Sequence, residues 1–299
     1  MPNQNALRTR PTHKATAWQD SSRCSIALAM IVIPSEAKRS RRIPRNYFKV
    51  SQRAVSTSLD MTENIKSQTA AVIPAYQDEK HIGDIARRTR ERLDHVLVVD
   101  DGSTDKTAQR AREAGAEVIV HDQNQGKGEA IKTGLAHWLG AGNPSSSGQD
   151  RQITWVILLD SDGQHLPEEI DRFLLAAASV TRPTLFIGNR MDDVARMPLA
   201  RRIVNRYMSN QISRVCGQKI PDTQCGYRML HRELIPDMLH GAHRYDYETE
   251  ALIIASRKDY RIESVRITTV YTDQVSKIHA VRDSLRFFKL MRRYKASRV

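Results

Sequence analysis

Short apolar runs alternate with longer amphipathic segments along the middle of this chain. The runs are rich in Val, Ile, Leu and Ala and are bounded by polar turn residues, which is the pattern of buried strands. Strands that alternate with helices of about ten to fifteen residues predict right-handed crossovers and a mainly parallel sheet. The predicted strands are Thr69–Pro74, His95–Val99, Glu117–His121 and Ile153–Leu159, and the predicted helices are Lys80–Arg92, Thr104–Ala114, Glu129–Leu139, Leu199–Val215 and Glu248–Arg257.

Polar loops leave three of these strands. Pro74 ends the first strand, Asp101 follows the second, and Asp160 follows the fourth. Ligands of parallel α/β sheets bind beyond the carboxyl ends of the strands, where the loops border a common crevice. We therefore expect the three loops to converge on one cleft.

The loop Asp160-Ser-Asp-Gly-Gln-His165 is the richest in candidate chemistry. It places two carboxylates and an amide at the exit of a buried strand. Mg²⁺ and Mn²⁺ prefer oxygen ligands of this kind and leave positions open for phosphate oxygens. Asp and Gly also favour turns, so a plain strand-ending turn is the alternative interpretation of this loop taken alone.

Six motifs in a fixed order decide between these interpretations. They are Ile73-Pro-Ala-Tyr-Gln-Asp-Glu79, Val98-Val-Asp-Asp-Gly-Ser-Thr-Asp105, Gly126-Lys-Gly128, Asp160-Ser-Asp-Gly-Gln-His165, Gly188-Asn-Arg190 and Asp222-Thr-Gln-Cys-Gly-Tyr-Arg228. In this order they resemble family 2 glycosyltransferases of the GT-A fold, most closely the polyprenyl (dolichyl) phosphate mannosyl- and glucosyltransferases. The resemblance covers residues 69–293 and implies one α/β, Rossmann-like catalytic domain over residues 69–299.

The resemblance implies site residues of several kinds. A bound Mg²⁺ or Mn²⁺ and arginine side chains would stabilise the negative charge of a departing nucleotide diphosphate. The implied metal ligands are Asp160, Asp162 and Gln164, and the implied catalytic residues are Asp160, Asp162, Arg190, Asp222 and Arg228. The implied contacts to the nucleotide of a GDP- or UDP-sugar are Pro74, Ala75, Tyr76, Asp78, Val99, Asp101, Lys127, Ser161 and Arg201.

The chemistry of the acceptor decides the role of Asp222. A lipid phosphate is already ionised near neutral pH and needs no strong general base, so cations such as Arg228 would matter more. A hydroxyl acceptor would instead make Asp222 the leading candidate for the base. The resemblance also implies acceptor or phosphate contacts at Ser276 and Lys277, although the preceding segment, Tyr271–Val275, lacks an arginine that the family often has there.

Other residues of these segments have structural interpretations. Glu248 and Glu250 open a predicted helix, where acidic side chains suit the N-terminus, and we expect a structural role for both. The run Gly126–Gly128 lacks the spacing of a Walker phosphate loop and predicts a glycine-assisted turn into a helix. Gln77 and Asp78 stand where the family usually has Asn-Glu, which is a conservative change.

We predict a metal-dependent inverting glycosyltransferase that moves a sugar from a nucleotide-sugar to polyprenyl phosphate. Two alternatives remain open: a glycosyltransferase with a soluble or saccharide hydroxyl acceptor, and a non-catalytic nucleotide-sugar-binding regulator. A sugar-nucleotide pyrophosphorylase would need a glycine-rich loop with a basic residue after the first strand, which Ala75–Glu79 does not supply. A processive polysaccharide synthase is disfavoured because Gln211-Ile-Ser-Arg214 is followed by valine and not by tryptophan.

The ends of the chain are basic. Residues 1–60 contain 11 Lys or Arg and 3 Asp or Glu, a net charge of +8 out of +13 for the chain. We expect residues 1–68 to form a disordered extension, with translation from Met61 as an alternative. Residues 279–298 predict a basic amphipathic helix that lies on an anionic bilayer or packs on its own domain.

Composition favours a cytoplasmic protein at the membrane surface. The 3 cysteines form neither a C-x-x-C pair nor a disulfide framework, so we expect a reducing compartment and no zinc site. No run of about 18 apolar residues predicts a membrane span, so a lipid acceptor would be reached peripherally or through a membrane-embedded partner. We do not expect a nucleic acid partner.

Overall fold

The structure is a computed structural model that describes residues 60–140, 153–192, 197, 199–240, 247–268 and 294. These residues belong to one compact unit, Lys49–Val299. Its strands are β1 (Thr69–Ala75), β2 (His95–Asp100), β3 (Glu117–Val120), β4 (Trp155–Leu158), β5 (Thr184–Asn189), β6 (Arg228–His231) and β7 (Arg261–Arg266).

The described strands form one mixed sheet in the order β3-β2-β1-β4-β6-β5-β7. Strands β1 to β4 pair in parallel, as the alternating pattern predicts. Strand β6 lies between β4 and β5 and runs antiparallel to both, while β7 pairs in parallel with β5. The sheet is therefore parallel on the side of the first four strands and mixed beyond them.

Helices flank this sheet and connect most of its strands. They are α1 (residues 60–67), α2 (Ile82–Arg90), α3 (Thr107–Glu113), α4 (Lys127–Leu139), α5 (Ile170–Ala178), α6 (Leu199–Cys216), α7 (Ile235–Leu239) and α8 (Tyr247–Arg257). Short 3₁₀ turns, Pro167–Glu169 and Arg232–Leu234, precede α5 and α7. Helix α3 begins later than predicted because the Asp105 side chain accepts hydrogen bonds from the Thr107 backbone and hydroxyl, which holds a turn there.

The centre of the core is formed by β1 and the helix that covers it, α4. Every residue of β1 is buried, and three of its residues are alanines, whose small side chains allow a helix to pack closely on the strand. Gly134 of α4 lies directly on this strand, because a Cβ atom there would come 2.4 Å from Cγ1 of Val72. A glycine is therefore required at this close helix–strand contact.

The strand register brings the first, second and fourth strands to a common edge. Ala75 at the end of β1 pairs with Asp100 at the end of β2, and Val72 pairs with Leu158 at the end of β4. The loops that follow these strands therefore leave the sheet on one side. This edge is where the candidate site lies.

The ordered domain begins earlier than the expected boundary at residue 69. Residues 60–67 are helical, whereas disorder was expected for them. Ile65 packs against the core and its carbonyl accepts a hydrogen bond from the Thr69 hydroxyl at 2.6 Å, which ties α1 to β1. The remainder of the expected extension, residues 1–59, lies outside the described residues, as does the expected helix at 279–298 except for Tyr294. In the described part of the chain, no helix combines the length and the apolar character needed to cross a membrane.

Candidate active site

The loops after β1 and β2 are fastened to each other. The backbone N–H of Gln77 donates to the Ser103 hydroxyl at 2.9 Å, and its side-chain amide donates to the Thr104 hydroxyl at 2.8 Å. The Asp78 N–H donates to the Thr107 hydroxyl at 2.8 Å. Gln77 has φ of 52°, in the left-handed region that few non-glycine residues adopt, so these bonds hold an unfavourable backbone conformation.

The carboxylate of Asp101 supports the loop that begins α4. It accepts hydrogen bonds from the backbone N–H groups of Gln125 at 2.9 Å and Gly126 at 2.7 Å, and lies 2.8 Å from Nδ1 of His121. Asp101 is only 2% exposed. Its oxygens therefore face the turn that positions Lys127, and the expected nucleotide contact of Asp101 stays a prediction.

Lys127 is the centre of a cluster of charges at the edge of the sheet. Its Nζ lies 2.6 Å from Oδ1 of Asp160 and 2.6 Å from Oε1 of Glu248. Each of the three side chains is about one quarter exposed, so solvent screens the cluster only in part. Burial would lower the pKa of Lys127, but the two carboxylates more than reverse this, and its pKa lies above the ordinary value. The ammonium is therefore charged at physiological pH.

The same cluster keeps Asp160 ionised. Burial would raise the pKa of Asp160, but the charge of Lys127 outweighs it and lowers the pKa to about 2. We call Asp222–Arg228 the acceptor-side loop, because its motif resembles the one on the acceptor side of the family's site. Gly226 of this loop closes the cluster, since a Cβ atom there would lie 3.0 Å from Oδ2 of Asp160 and 3.0 Å from Oε1 of Glu248. A larger residue would push the two carboxylates apart.

Asp162 lies in the turn that follows Asp160. Its Oδ1 accepts a hydrogen bond from the backbone N–H of Gln164 at 3.0 Å, which fixes the turn. Burial raises the pKa of Asp162, and the negative charge of Asp160 raises it further. A cation between the two carboxylates would relieve this repulsion.

His165 positions Asp160, the first carboxylate of the loop. Its Nδ1 accepts the backbone N–H of Asp160 at 3.1 Å, and its ring stacks on Tyr227 with centroids 5.0 Å apart. The ring is 3% exposed, and burial lowers the pKa of His165, so the neutral imidazole is favoured. The sequence motif contains His165, but the positioning role was not predicted.

The donor set of this loop fits a hard divalent cation. Asp160 and Asp162 offer carboxylate oxygens, and Gln164 follows them in the same half-buried turn. Within the described ranges, no group of three or more His, Cys, Asp and Glu side chains is arranged to hold a metal ion. The protein would thus supply few ligands, which is the mode in which Mg²⁺ is held by one or two carboxylates together with substrate phosphates.

Arg190 and Asp222 form a two-bond ion pair beside this cluster. Nε of Arg190 lies 2.7 Å from Oδ2 of Asp222, and Nη2 lies 3.0 Å from Oδ1. Asp222 is fully buried and also accepts the backbone N–H groups of Arg190 and Gln224, each at 3.2 Å. Its oxygens are thus occupied by four hydrogen bonds.

Arg228 lies in a buried position at the start of β6. Its guanidinium is buried and donates to three backbone carbonyls, those of Cys225 at 3.0 Å, Thr223 at 3.2 Å and Glu248. Burial lowers the pKa of Arg228 from its ordinary value. Arg228 therefore fastens the acceptor-side loop to the start of α8, and its expected contact with an acceptor phosphate stays a prediction.

The other expected site residues occupy diverse positions. Tyr76 is 43% exposed in the loop after β1, whereas Ser161 is buried beside Asp160 and Arg201 is half-buried in the first turn of α6. Ser276 and Lys277 lie outside the described residues. The buried strand ends beneath the cleft are Pro74, Ala75 and Val99, and the half-buried loop residue beside them is Asp78.

The structure adds Glu248 to the site, although a purely structural role was expected for it. Its carboxylate lies on α8 and reaches Lys127, which is 121 residues earlier in the chain. The acidic start of a helix is also the pattern of an ordinary N-terminus, so local sequence gives no separate signal for this contact. Glu250, two residues on, accepts a hydrogen bond from Tyr294 and has the expected structural role.

Comparison with known proteins gives one family. The model of the family described as Glycosyl transferase family 2 matches residues 70–239, more than half of the chain. A UDP-N-acetylglucosamine--dolichyl-phosphate N-acetylglucosaminyltransferase of Methanococcus voltae is 30% identical over 228 residues, which cover 68% of this chain and 85% of that protein. The dolichyl-phosphate beta-glucosyltransferase of Saccharomyces cerevisiae is 26% identical over 253 residues, covering 74% of this chain and 72% of that protein.

Solved structures agree in fold. The glucosyl-3-phosphoglycerate synthase from Mycobacterium tuberculosis, crystallised with Mn²⁺, uridine-diphosphate and phosphoglyceric acid, superposes with a TM-score of 0.59. It is 18% identical and the match covers 81% of this chain and 82% of that one. At this level of identity the likeness concerns the arrangement of strands and helices.

Proposed function

The chain belongs to glycosyl transferase family 2, and we propose that it transfers a sugar from a nucleotide-sugar donor to a polyprenyl phosphate, with inversion at the anomeric carbon. The predicted family and its GT-A fold are confirmed, and with them the prediction of a glycosyltransferase. The identity of the donor, of the metal ion and of the acceptor is what we propose.

One observation carries the proposal: where β4 leaves the sheet, the carboxylate of Asp160 lies 2.6 Å from the Lys127 ammonium and close enough to Asp162 to raise the pKa of Asp162 beyond the effect of burial. Asp160 and Asp162 would hold Mg²⁺ or Mn²⁺, with Gln164 as a further oxygen ligand. A cation at this position neutralises charge on a departing diphosphate. The glucosyl-3-phosphoglycerate synthase of similar fold, which was crystallised with Mn²⁺ and uridine-diphosphate, supports the use of a divalent cation and a nucleoside diphosphate donor.

The protein's own residues then orient the donor. His165 and Gly226 fix Asp160 from two sides, and Lys127 adds a positive charge beside it. Arg190 has its guanidinium held by both oxygens of Asp222, so it is pre-organised and loses little conformational entropy on contact with phosphate. Fixed positive groups in a partly shielded cleft stabilise developing negative charge better than mobile water does.

The state of Asp222 supports a phosphate acceptor. A hydroxyl acceptor needs a general base, but the carboxylate of Asp222 is fully buried and already accepts four hydrogen bonds. A polyprenyl phosphate is ionised near neutral pH and attacks without a strong base. The names of the Methanococcus voltae and Saccharomyces cerevisiae relatives, both of which act on dolichyl phosphate, point to the same acceptor class.

A donor and acceptor screen tests the proposal. The full chain is incubated with UDP- and GDP-sugars, Mg²⁺ or Mn²⁺, and either a polyprenyl phosphate or a soluble sugar or phosphate acceptor. We expect a lipid-linked sugar of inverted anomeric configuration, read by mass spectrometry and NMR, and loss of product with EDTA. Transfer only to soluble acceptors would overturn the lipid assignment, and donor binding without any transfer would favour a regulator.

A further inference from the structure

The first half of helix α6 exposes large apolar side chains. Leu199, Ile203, Val204 and Tyr207 are 69%, 61%, 51% and 47% exposed. Leu199, Ile203 and Tyr207 are spaced four residues apart, so they form one stripe along the helix. We call these three residues the α6 stripe.

Up to Ser209 the buried side of α6 is polar, whereas beyond it Ile212, Val215 and Cys216 are buried and apolar. Asn205 and Ser209 are buried on that side, at 9% and 2% exposure. An ordinary surface helix shows the opposite arrangement, with apolar residues inward and polar residues outward. A reversed pattern of this kind marks a surface that contacts something apolar.

The charge of α6 indicates which kind of partner contacts this surface. The helix contains Arg201, Arg202, Arg206 and Arg214 and no Asp or Glu, so its formal charge is strongly positive. A twofold contact between two copies of the chain would bring these arginines against each other, which is unfavourable. An apolar stripe flanked by arginines is instead suited to the boundary between anionic headgroups and acyl chains.

The stripe lies one helix thickness from the candidate site. On the opposite side of α6, Ser209 Oγ lies 3.1 Å from the Thr223 hydroxyl and accepts the Thr223 backbone N–H at 3.0 Å. Thr223 follows Asp222, which binds Arg190. Because a helix with its side chains is about 10–12 Å across, a headgroup layer on the outer face would lie near the acceptor-side loop.

We propose that the outer face of α6 is the surface by which this protein docks on an anionic membrane, with the α6 stripe inserted at headgroup depth. The proposal rests on the proposed function, since docking there would present a membrane-held phosphate to the acceptor-side loop. It adds a specific surface and a lipid charge requirement to that function.

The test measures binding of the full chain to vesicles that contain neither donor nor acceptor. Vesicles of phosphatidylcholine with phosphatidylglycerol are compared with phosphatidylcholine alone in a flotation assay. We expect binding only to the anionic vesicles, weakening as salt rises. The combined variant Leu199→Ser, Ile203→Ser and Tyr207→Ser should bind at least about tenfold more weakly, because it removes the inserted apolar area.

Matched variants isolate the surface. Met61, Val120 and Leu175 are also large, apolar and exposed, and replacing these three by Ser should leave vesicle binding unchanged. Arg202→Gln with Arg206→Gln should weaken binding at low salt and have little effect at high salt. Wild-type binding by the stripe variant would overturn the proposal, as would equal binding to neutral vesicles or a dimer that the stripe variant abolishes.

A second readout separates this proposal from the proposed function. The stripe variant should transfer sugar to a short, water-soluble polyprenyl phosphate as the wild type does, and lose transfer to a long-chain acceptor in vesicles. If no polyprenyl phosphate is glycosylated but the stripe variant still loses vesicle binding, the acceptor assignment fails and the docking surface stands. If the short acceptor is used but vesicle binding is unaffected by the variant, the docking surface fails alone.

Discussion

The ammonium of Lys127 lies 2.6 Å from the carboxylate of Glu248, and at the same distance from the carboxylate of Asp160. Lys127 is thereby shared between a candidate metal ligand and a residue of α8. If Asp160 binds a divalent cation, as proposed, Glu248 would remain as the counter-charge of Lys127. Glu248 would then allow an ammonium and a metal ion to share one small site.

The first prediction removes that counter-charge. In Glu248→Gln, Lys127 would bind Asp160 alone and compete with the cation, so we expect Mn²⁺ affinity to fall about three- to tenfold. Mn²⁺ binding by electron paramagnetic resonance, without substrate, measures this directly. Glu113→Gln, which removes an equal charge from the exposed surface of α3, serves as the control. Unchanged affinity in Glu248→Gln would show that Lys127 and the metal do not compete.

The second prediction concerns Asp162. Asp162→Ala should reduce metal-dependent transfer by at least about a hundredfold, because a lost cation ligand removes several kcal/mol of charge stabilisation in the transition state. The melting temperature should change little, since the side chain lies at the cleft and makes one local turn bond. Transfer is measured at saturating donor and metal. Normal turnover there would exclude Asp162 from the cation site.

Much of the fold follows from local sequence pattern. The strands β1, β2 and β4 are continuous apolar runs because they are buried on both faces, and such runs are visible in the sequence. Strands β5, β6 and β7 were not predicted. Strand β6 is four residues long and begins with a buried arginine, and four of the six residues of β7 are polar, with exposed residues at both ends. Their place in the sheet depends on pairing with distant strands.

The candidate site shows the same division. The oxygen-rich loop Asp160–His165 was predicted from its position at a strand exit and from its place among six ordered motifs. The contact of Glu248 with Lys127 joins residues 121 apart, and the contact of Arg228 with the Glu248 carbonyl joins residues 20 apart, so no local pattern reveals either. Charged residues are also expected at the surface. Arg228 is buried because three backbone carbonyls replace the water molecules that would otherwise hydrate its guanidinium.

The third prediction is a pH dependence of stability at Arg88. Hydrogen bonds from Arg88 lower the pKa of Glu168 below its ordinary value of 4.5. Burial would raise the pKa of Asp84, but hydrogen bonds from Arg87 and Arg88 outweigh burial, so the pKa of Asp84 is lowered as well. Carboxyl groups with lowered pKa stabilise the fold above their unfolded pKa and lose this contribution as pH falls through the folded value. Arg88→Ala should therefore cost about 0.5–1 kcal/mol near neutral pH and progressively less below about pH 4.5.

Urea unfolding across this pH range measures the Arg88 effect. Arg112→Ala, at an exposed position of α3, should show no such trend and controls for the loss of one positive charge. A constant difference between wild type and Arg88→Ala at all pH values would mean that Arg88 contributes by packing and not by its ion pairs.

The fourth prediction separates two roles of Arg190. Its guanidinium makes two bonds to the fully buried carboxylate of Asp222, so Arg190→Ala leaves a buried charge unpaired and should cost about 3–5 kcal/mol of unfolding free energy. Removing the carboxylate as well, in Arg190→Ala with Asp222→Ala, should recover part of that loss, because no unpaired charge remains.

Activity should respond differently from stability in this cycle. If Arg190 contacts the diphosphate or the acceptor phosphate, the double variant regains stability but stays at least about a hundredfold below wild type in transfer, since the guanidinium is still missing. Arg190→Lys keeps the charge but cannot reproduce both bonds, so it should be more stable than Arg190→Ala while recovering little activity. Chemical denaturation and transfer assays on the same preparations give both values. A double variant that recovers activity together with stability would show that Arg190 serves only to neutralise Asp222, and the phosphate contact would then have to come from another cation of the cleft.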